Sequence, residues 1–245
     1  MVKQRLDVVM VQRKLVASRS QAESYIRLGK VWVHEKKATK SGQFVSEDAN
    51  IELKVETQYV SRAALKLKSA DAAFCVDWAD KTVLDVGSST GGFTQYALSC
   101  GAGKVIAVDV GTDQLHPTLR ADSRIELHEK TDIRDFFTHE LVDIVVGDVS
   151  FISLREVLPH VSRLVTPQSV LVAMVKPQFE AEHSGYKHKG VIKNDRMRRE
   201  ILRDFETWAK QYFTIVDKKD SAVAGSKGNV ERFYLLRKLN STAAS

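Results

Sequence analysis

The chain has few of the features that mark secreted or membrane-spanning proteins. Its 245 residues include two cysteines, Cys75 and Cys100, which are too few for a disulfide framework and are both expected to be buried thiols. The longest aliphatic run, residues 170–175, is far shorter than the roughly 18 apolar residues that span a bilayer. Residues 1–7 contain no apolar core of a secretory signal. We therefore expect a cytoplasmic protein without a membrane segment.

Positive charge is concentrated in the first quarter of the chain. Apolar residues make up 43% of the sequence, enough for an ordinary core, and the length allows one large domain or a large domain with a small one. Residues 1–60 hold eleven Lys and Arg against seven Asp and Glu, whereas the rest of the chain holds 26 against 24. This excess indicates a small basic module that binds a polyanion, although an ordinary charged surface would show the same pattern.

The most informative stretch, residues 83–93, is an apolar strand that ends in an acid and opens into a glycine-rich turn. Such a turn lets backbone and helix N–H groups approach a ligand closely. Ser89 stands at the second glycine position of the dinucleotide fingerprint, and Asp85, just before the turn, would repel a pyrophosphate. NAD therefore fits poorly. A carboxylate at this place suits a ligand with positive charge, such as S-adenosylmethionine.

A second acid supports the interpretation of this turn as a cofactor site. Asp109 follows the next apolar run, residues 105–108, where a carboxylate typically hydrogen-bonds ribose hydroxyls. The turn supplies further candidates for cofactor contact, namely Gly87, Ser88, Gly91, Gly92 and Phe93. A purely structural strand-to-helix turn would need neither acid, so the pair Asp85 and Asp109 favours a cofactor.

The first 55 residues predict a compact unit of two helices followed by strands. Apolar spacing defines the first helix, and Ser18 with Gln21 forms a capping box at the start of the second. The expected elements are helices over residues 5–13 and 19–28, a strand over 30–33, a basic loop over 36–40 and a strand over 51–53.

Beyond residue 60, strands and helices alternate as in a doubly wound, mostly parallel sheet. One helix begins at Ser61, and the best-marked helix is capped by Asn194 or Asp195. The expected strands cover residues 82–86, 104–109, 124–128, 142–148, 169–175, 213–218 and 231–237. The apolar stripe of the best-marked helix, expected in the core, consists of Met197, Ile201, Phe205, Trp208 and Ala209.

Polar residues at the carboxyl ends of parallel strands meet at one edge of a sheet, where ligands bind. The candidates there are Lys66 in the helix after Ser61, and Asp132, Asp148, Lys176 and Glu231 at strand ends. Methylating a hydroxyl requires a base, and a lysine can serve only if its charge is suppressed, which a second lysine nearby would do. Each residue alone could simply face water, and an isolated lysine such as Lys66 more often extends from an amphipathic helix.

Two sets of motifs in this chain resemble known families. Residues 5–7, 18–22, 26–33 and 40–42 resemble the S4 RNA-binding domain, with His34-Glu35 where that family usually has Asn-Gly. Six further strings resemble TlyA-type (haemolysin A family) proteins, in which an S4 domain precedes an FtsJ-like methyltransferase domain. These strings are residues 60–67, 85–94, 111–115, 148–154, 175–180 and 228–231.

The resemblance implies a fold, an activity and a set of site residues. The fold would be an α/β, Rossmann-like S-adenosylmethionine-dependent methyltransferase at residues 61–240. A small α+β S4-like domain at 1–55 and a linker at 56–60 would precede it, and a flexible tail at 241–245 would follow it. The activity would be methylation of a ribose 2′-hydroxyl, at cytidines of 16S or 23S ribosomal RNA. The short segment before Arg5 favours the large subunit as the substrate. The family's catalytic tetrad falls on Lys66, Asp148, Lys176 and Glu231, and its cofactor contacts fall on Gly91, Phe93, Asp109, Asp132 and Asp148.

The partner implied by the resemblance is ribosomal RNA within ribosomal subunits, and no metal is expected. The residues expected to contact phosphates are Arg5, Arg19, Arg27, Lys30, Lys37, Lys40 and Arg62. Two alternatives stay open at this point. The chain could be a non-catalytic RNA-binding or assembly protein with a decayed methyltransferase fold, or a membrane-lysing protein, as the name haemolysin suggests.

Overall fold

The computed structural model describes residues 3–16, 18–46, 48–54, 59–188, 190–223, 225 and 228–240. The elements of the N-terminal part are β1 (Lys3–Arg5), α1 (Leu6–Gln12), α2 (Arg19–Arg27), β2 (Val31–Val33), β3 (Lys36–Lys37), β4 (Phe44–Ser46) and β5 (Ile51–Leu53). β1 pairs with β4, and β2 lies between β3 and β5 in an antiparallel sheet. Ser18 caps α2 by accepting a hydrogen bond from Gln21 N, as its position in the sequence predicts.

Three short strands of this part differ from the sequence-based expectation. β1 and β4 are not predicted, because three residues are too few to show an alternation of apolar and polar side chains. Lys36–Lys37, expected in a basic loop, form β3 instead. Between β2 and β3, His34 has φ 47° and Glu35 has φ 64°, the positive values that a type I′ hairpin turn requires. The turn therefore forms with residues other than the usual Asn and Gly.

The second part is built around one large sheet. Its elements are α3 (Arg62–Phe74), β6 (Thr82–Val86), α4 (Gly92–Ser99), β7 (Lys104–Val108), α5 (Pro117–Arg120), β8 (Ile125–His128), β9 (Val142–Gly147), α6 (Leu154–Leu164), β10 (Val165–Val175), α7 (Pro177–Glu180), α8 (Asp195–Ala209), β11 (Phe213–Asp220) and β12 (Arg232–Lys238). The strand order is β11-β12-β10-β9-β6-β7-β8, and only the pairs that include β12 are antiparallel. The predicted seven-stranded, mostly parallel sheet is confirmed.

Successive side chains of the sheet contact helices on its two faces. Val83 and Val105 belong to a hydrophobic cluster with α3 and α4, whereas Leu84 and Ile106 belong to a second cluster with α6 and α8. This is the period-two burial of strands covered on both faces, which explains why the strands are apolar throughout. In the predicted apolar stripe of α8, Ile201, Phe205 and Ala209 are buried, while Met197 and Trp208 are partly buried.

The two parts of the chain pack directly against each other. One hydrophobic cluster runs from α1 and α2 into α3 and α4. At the junction, Gln21 Nε2 donates a hydrogen bond to Tyr59 O at 2.6 Å, and Val60 N donates to Gln95 Oε1 at 2.7 Å. The junction is therefore fixed on one side to α2 and on the other to α4, the helix that follows the glycine turn.

Two predicted segments fall largely outside the described residues. These are the linker at 56–60, of which only Tyr59 and Val60 are described, and the flexible tail at 241–245. Within the residues that are described, no helix is long and apolar enough to cross a membrane.

The expectation of two buried cysteines is wrong. Cys75 is exposed, because α3 ends there in a left-handed conformation with φ 51°, and Cys100 is only partly buried at the end of α4. Both thiols are free.

Candidate active site

The glycine turn between β6 and α4 lies where the order of strands reverses. Because β6 has β7 on one side and β9 on the other, the loops after these strands diverge and leave a crevice at the carboxyl edge of the sheet. Gly87 and Gly91 have φ values of 80° and 90°, which glycine adopts without strain. Gly87 N donates to Val108 O at 2.9 Å, so the turn is attached to the end of β7.

Gly92 allows the start of α4 to pack on the start of α3. A Cβ atom on Gly92 would lie 2.8 Å from Ala63 Cβ and 3.0 Å from Ala64 N, and it would also collide with Ser61 Oγ. Since a backbone nitrogen cannot move aside without shifting the helix, the close approach of α3 and α4 requires a glycine at this position.

Gly92→Ala is expected to destabilise the protein by about 1 to 3 kcal/mol through overpacking. Helix propensity alone predicts the opposite sign, because alanine is favoured over glycine in a helix by about 1 kcal/mol. Urea unfolding measures the difference. Gly147→Ala is the matched control, because nothing lies within 4 Å of a Cβ atom there. If Gly92→Ala is as stable as the wild type, α3 can shift to make room for the methyl group at little cost.

Asp85 lies beneath the turn and not on the wall of the crevice. It is fully buried and accepts a hydrogen bond from Thr94 Oγ1 at 2.6 Å, which ties β6 to α4. Burial raises the pKa of Asp85 to about 7, and the hydrogen bond from Thr94 offsets part of that rise. In this structure Asp85 supports the turn from below.

Two adjoining cavities open along the carboxyl edge of the sheet. The first cavity, of about 740 Å³, lies between the turn, the start of α3, α7 and the segment before β12. The second cavity, of about 380 Å³, lies between the turn and the ends of β7, β8 and β9. The residues that line both are Gly87, Ser89, Asp148, Ser150 and Phe151.

The predicted cofactor residues divide between these cavities. Ser88, Gly92 and Phe93 line the first, whereas Asp109 and Asp132 line the second. The shared wall contains Gly87 and Asp148. Two predicted residues, Asp85 and Gly91, line neither cavity and act through the structure of the turn.

The second cavity combines two carboxylates with an apolar wall. Asp109 accepts hydrogen bonds from Ser89 N at 2.8 Å and from Gly111 N at 2.7 Å. Asp132 forms an ion pair with Arg134 at 2.7 Å, and the hydrogen bond from this guanidinium holds the pKa of Asp132 below its ordinary value. The apolar wall includes Val108, Val110 and Ile133. Because a carboxylate has about four acceptor positions, Asp109 can still accept hydroxyl groups of a ligand.

The first cavity contains two ion pairs. Lys66 Nζ lies 2.5 Å from Glu231 Oε2, with only 5% and 4% of the two side chains exposed. Lys176 Nζ forms an ion pair with Asp148 Oδ1 at 2.5 Å, but the angle between them does not fit a hydrogen bond. The hydrogen bond of Lys176 Nζ goes to Ser150 Oγ at 2.6 Å. α3, β9, β10 and β12 thus bring the four predicted residues into one cavity. Their chemical roles stay a prediction.

Glu180 supports this cavity, although the sequence does not single it out. Glu180 is buried, its Oε2 accepts a hydrogen bond from Ser153 Oγ at 2.6 Å, and its Oε1 accepts one from Leu154 N at 2.8 Å. Burial raises the pKa of Glu180 above its ordinary value. The side chain joins α7, next to Lys176, to the start of α6, next to Asp148. It therefore fixes the distance between the loops that carry one of the ion pairs.

Three of the predicted phosphate contacts lie in a groove on the N-terminal part. This groove, of about 560 Å³, is lined in part by Arg5, Arg27 and Lys40. Arg5 and Arg19 both pair with Asp7, at 2.9 and 3.0 Å, and these contacts hold the pKa of Asp7 below its ordinary value. Asp7 thus orients two of the predicted arginines on the surface.

The other predicted phosphate contacts have different surroundings. Lys30 is exposed, and Lys37 Nζ lies 5.5 Å from the centre of the Trp32 ring. Arg62 lines the first cavity and lies outside the N-terminal groove. The predicted phosphate contacts are therefore divided between the N-terminal part and the first cavity.

Comparisons with known proteins agree on both parts of the chain. Residues 59–238 match the model of the FtsJ-like methyltransferase family, and residues 4–51 match the model of the S4 domain. The chain is 37% identical to the 16S/23S rRNA (cytidine-2′-O)-methyltransferase TlyA of Mycobacterium tuberculosis, over 98% of this chain and 92% of that protein. It is 42% identical to the 23S rRNA (cytidine-2′-O)-methyltransferase TlyA of Campylobacter jejuni, over 72% and 70%. A solved structure of a protein described as a hemolysin, from Streptococcus thermophilus, matches with a TM-score of 0.72 and 34% identity, over 98% of this chain and 90% of that one.

Proposed function

Because the chain belongs to the FtsJ-like methyltransferase family and begins with an S4 domain, we propose that it transfers a methyl group from S-adenosylmethionine to the ribose 2′-hydroxyl of a cytidine in ribosomal RNA. The observation that carries this proposal is the meeting of two lysine–carboxylate pairs beside the glycine turn. A 2′-hydroxyl is a very weak acid, so its methylation needs a base within hydrogen-bond reach. A protein that acts on ribosomal subunits would work in the cytoplasm.

The residues of the two cavities fit S-adenosylmethionine. A Cβ atom on Gly87 would lie 3.1 Å from Asp148 O, so a glycine lets the turn approach Asp148, which lines both cavities. Ser88 Oγ is buried and has no hydrogen-bond partner among the described residues, which leaves it for a ligand. We place the adenosine in the second cavity, with its ribose on Asp109 and its base near Asp132. The methionine part would lie along the turn in the first cavity. When bound, this cofactor supplies an electrophilic methyl group.

Asp109→Ala is expected to weaken S-adenosylmethionine binding by about 1 to 3 kcal/mol, because the ribose hydroxyls lose their acceptor. Isothermal titration calorimetry measures the change. Asp109 also accepts the N–H groups of Ser89 and Gly111, so part of the loss would come from the turn itself. Asp109→Asn keeps an acceptor for one of these two backbone N–H groups, so it should lose less affinity than Asp109→Ala. If the dissociation constant is unchanged in Asp109→Ala, the ribose does not bind this carboxylate.

We assign the proton transfer to Lys176. Both lysines line the first cavity and neither lines the second, but the amine of Lys176, which follows the central strand β10, lies 2.5 Å from Asp148, and Asp148 lines both cavities. Lys176 is thus nearer to the boundary where cofactor and substrate would meet. A protonated amine cannot accept a proton, so Lys176 must first lose its own. Asp148 and Ser150 hold the amine in place.

The N-terminal groove would hold the RNA backbone. The double charge reversal Arg27→Glu/Lys40→Glu is expected to weaken binding to ribosomal subunits at least about tenfold and to make its salt dependence shallower, because fewer counterions are released. Filter binding over a range of salt concentrations measures both. Arg203→Glu/Lys210→Glu is the control, since it makes the same change of charge at exposed positions on and just after α8. Equal losses in both variants would point to net charge and away from the groove.

Labelled S-adenosylmethionine offered to unmodified 30S and 50S subunits tests the function itself. We expect label in a 2′-O-methylated cytidine of one or both subunits, located by nuclease digestion and mass spectrometry. Binding of subunits without incorporation of label would support the alternative of a non-catalytic RNA-binding protein. Release of dye from liposomes at protein concentrations that give no methylation would support a lytic role.

A further inference from the structure

Four residues that line the first cavity carry a buried polar atom without a hydrogen-bond partner among the described residues. Two of these atoms, Ser88 Oγ and Asp148 Oδ1, belong to the turn and to the ion pair described above. The other two are Oε1 of Gln178 and Nε2 of His188. A buried acceptor or donor without a partner costs about 1 to 3 kcal/mol, so such atoms are rare unless a ligand completes them. Neither residue belongs to the lysine–carboxylate pairs, and neither has a part in the proposed proton transfer.

Both side chains are carried by segments that other residues hold in place. Gln178 lies on α7, two residues after Lys176, and Glu180 at the end of this helix is bound to Ser153 and Leu154. His188 lies in the segment before α8. Asn229 fixes that segment by accepting a hydrogen bond from Ile192 N at 2.9 Å and donating one to Gly190 O at 3.2 Å. The two unsatisfied atoms therefore belong to two segments, both between Lys176 and Glu231 along the chain, that other residues hold in place.

The chemistry of the two atoms restricts the group that they can bind. An amide oxygen only accepts hydrogen bonds, so Gln178 Oε1 requires a donor. The 2′-hydroxyl of the target gives its proton to Lys176 in the proposed reaction, so the donor must come from another part of the nucleotide. A nucleobase that leaves its stack offers its Watson–Crick edge, and cytosine has there an exocyclic amino group next to two acceptors. Uracil has a carbonyl oxygen in place of that amine, and two acceptors facing each other repel.

We propose that Gln178 and His188 select the target base, with Gln178 Oε1 accepting a hydrogen bond from the exocyclic amine of cytosine and His188 Nε2 donating to an acceptor of the same ring. This assignment rests on the proposed function and adds to it the residues that distinguish cytidine from uridine. The pocket rejects uridine because Gln178 Oε1 then lacks a donor, and a site built to hydrogen-bond one partner discriminates strongly against an analogue without it.

The test uses unmodified subunits whose mapped target is either cytidine or uridine, with labelled S-adenosylmethionine and mass spectrometry of the methylated nucleoside. For the wild type we expect kcat/KM to favour cytidine by at least about 100-fold. Gln178→Leu should lower kcat/KM on cytidine by about 10- to 100-fold and leave uridine unchanged, so that the preference for cytidine falls by the same factor. His188→Ala should reduce the same preference. The dissociation constant of S-adenosylmethionine should stay at the wild-type value in both variants.

Gln168→Leu is the matched control, because Gln168 is exposed, lies at the opposite end of β10 and lines neither cavity. It should keep the wild-type preference. If Gln178→Leu fails to fold, Gln178→Asn retracts the amide by one methylene group and should give the same loss of preference. A wild type that methylates subunits, together with an unchanged preference in the Gln178 variant, would overturn this inference alone. No methylation by the wild type would overturn the proposed function.

Discussion

Lys176→Arg is expected to lower the rate of methyl transfer by about 100-fold or more, while the dissociation constants for S-adenosylmethionine and for ribosomal subunits stay within about twofold of the wild-type values. Arginine keeps the positive charge and can still pair with Asp148, which lies 2.5 Å from the amine in the wild type. It cannot release its proton near neutral pH and so cannot act as a base. Lys176→Met should show the same loss of rate.

Single-turnover methylation of ribosomal subunits measures this loss without interference from product release. Lys68→Arg is the matched control, because Lys68 is exposed on α3 and lines neither cavity. Its rate should equal that of the wild type. If Lys176→Arg retains more than a few per cent of the wild-type rate, Lys176 orients the substrate, and Lys66 becomes the first candidate for the base.

The sheet of the second part could be predicted closely because its strands carry a strong local signal. Strands buried on both faces appear as apolar runs that end at a charged or glycine residue, and β6 matches its expected span, residues 82–86. The start of β10 is an exception, since it begins at Val165 and not at residue 169. The register shifts between Val165 and Val170, and Ser169 bonds to Val142 O across this irregularity. Such a contact between distant segments leaves no pattern in the sequence.

The site could be predicted only as far as its residues stand at strand ends. Lys176 and Asp148 could be found in this way, because parallel strands place their carboxyl ends at one edge of the sheet. Sequence position does not show that Asp85 is covered by the turn, since burial depends on how α4 packs over β6. Nor does it show that Glu180 is bound to Ser153, 27 residues earlier in the chain. Sequence motifs can include such residues, but only the packing of the folded chain shows which groups they contact.

Glu231→Gln is expected to destabilise the protein by about 3 to 5 kcal/mol, because it leaves the ammonium group of Lys66 buried without a countercharge. The two side chains are almost fully covered, and their charged atoms lie 2.5 Å apart. Lys66→Met should cost a comparable amount, since it leaves the Glu231 carboxylate unpaired. Chemical denaturation measures these losses. Glu23→Gln is the control, because both side chains of the Arg27–Glu23 pair are about half exposed and the pair should contribute little.

The double variant Lys66→Met/Glu231→Gln separates the structural role of this pair from its role in the reaction. Removing both charges leaves no unpaired ion, so its stability should return close to the wild-type value. Methyl transfer should stay at least about 100-fold below the wild-type rate, because the proposed catalytic set has lost two of its four residues. A double variant that is stable and methylates at the wild-type rate would show that Lys66 and Glu231 only fill the wall of the cavity. A double variant as unstable as the two single variants would mean that other contacts of these side chains, and not their mutual charge, hold this part of the fold.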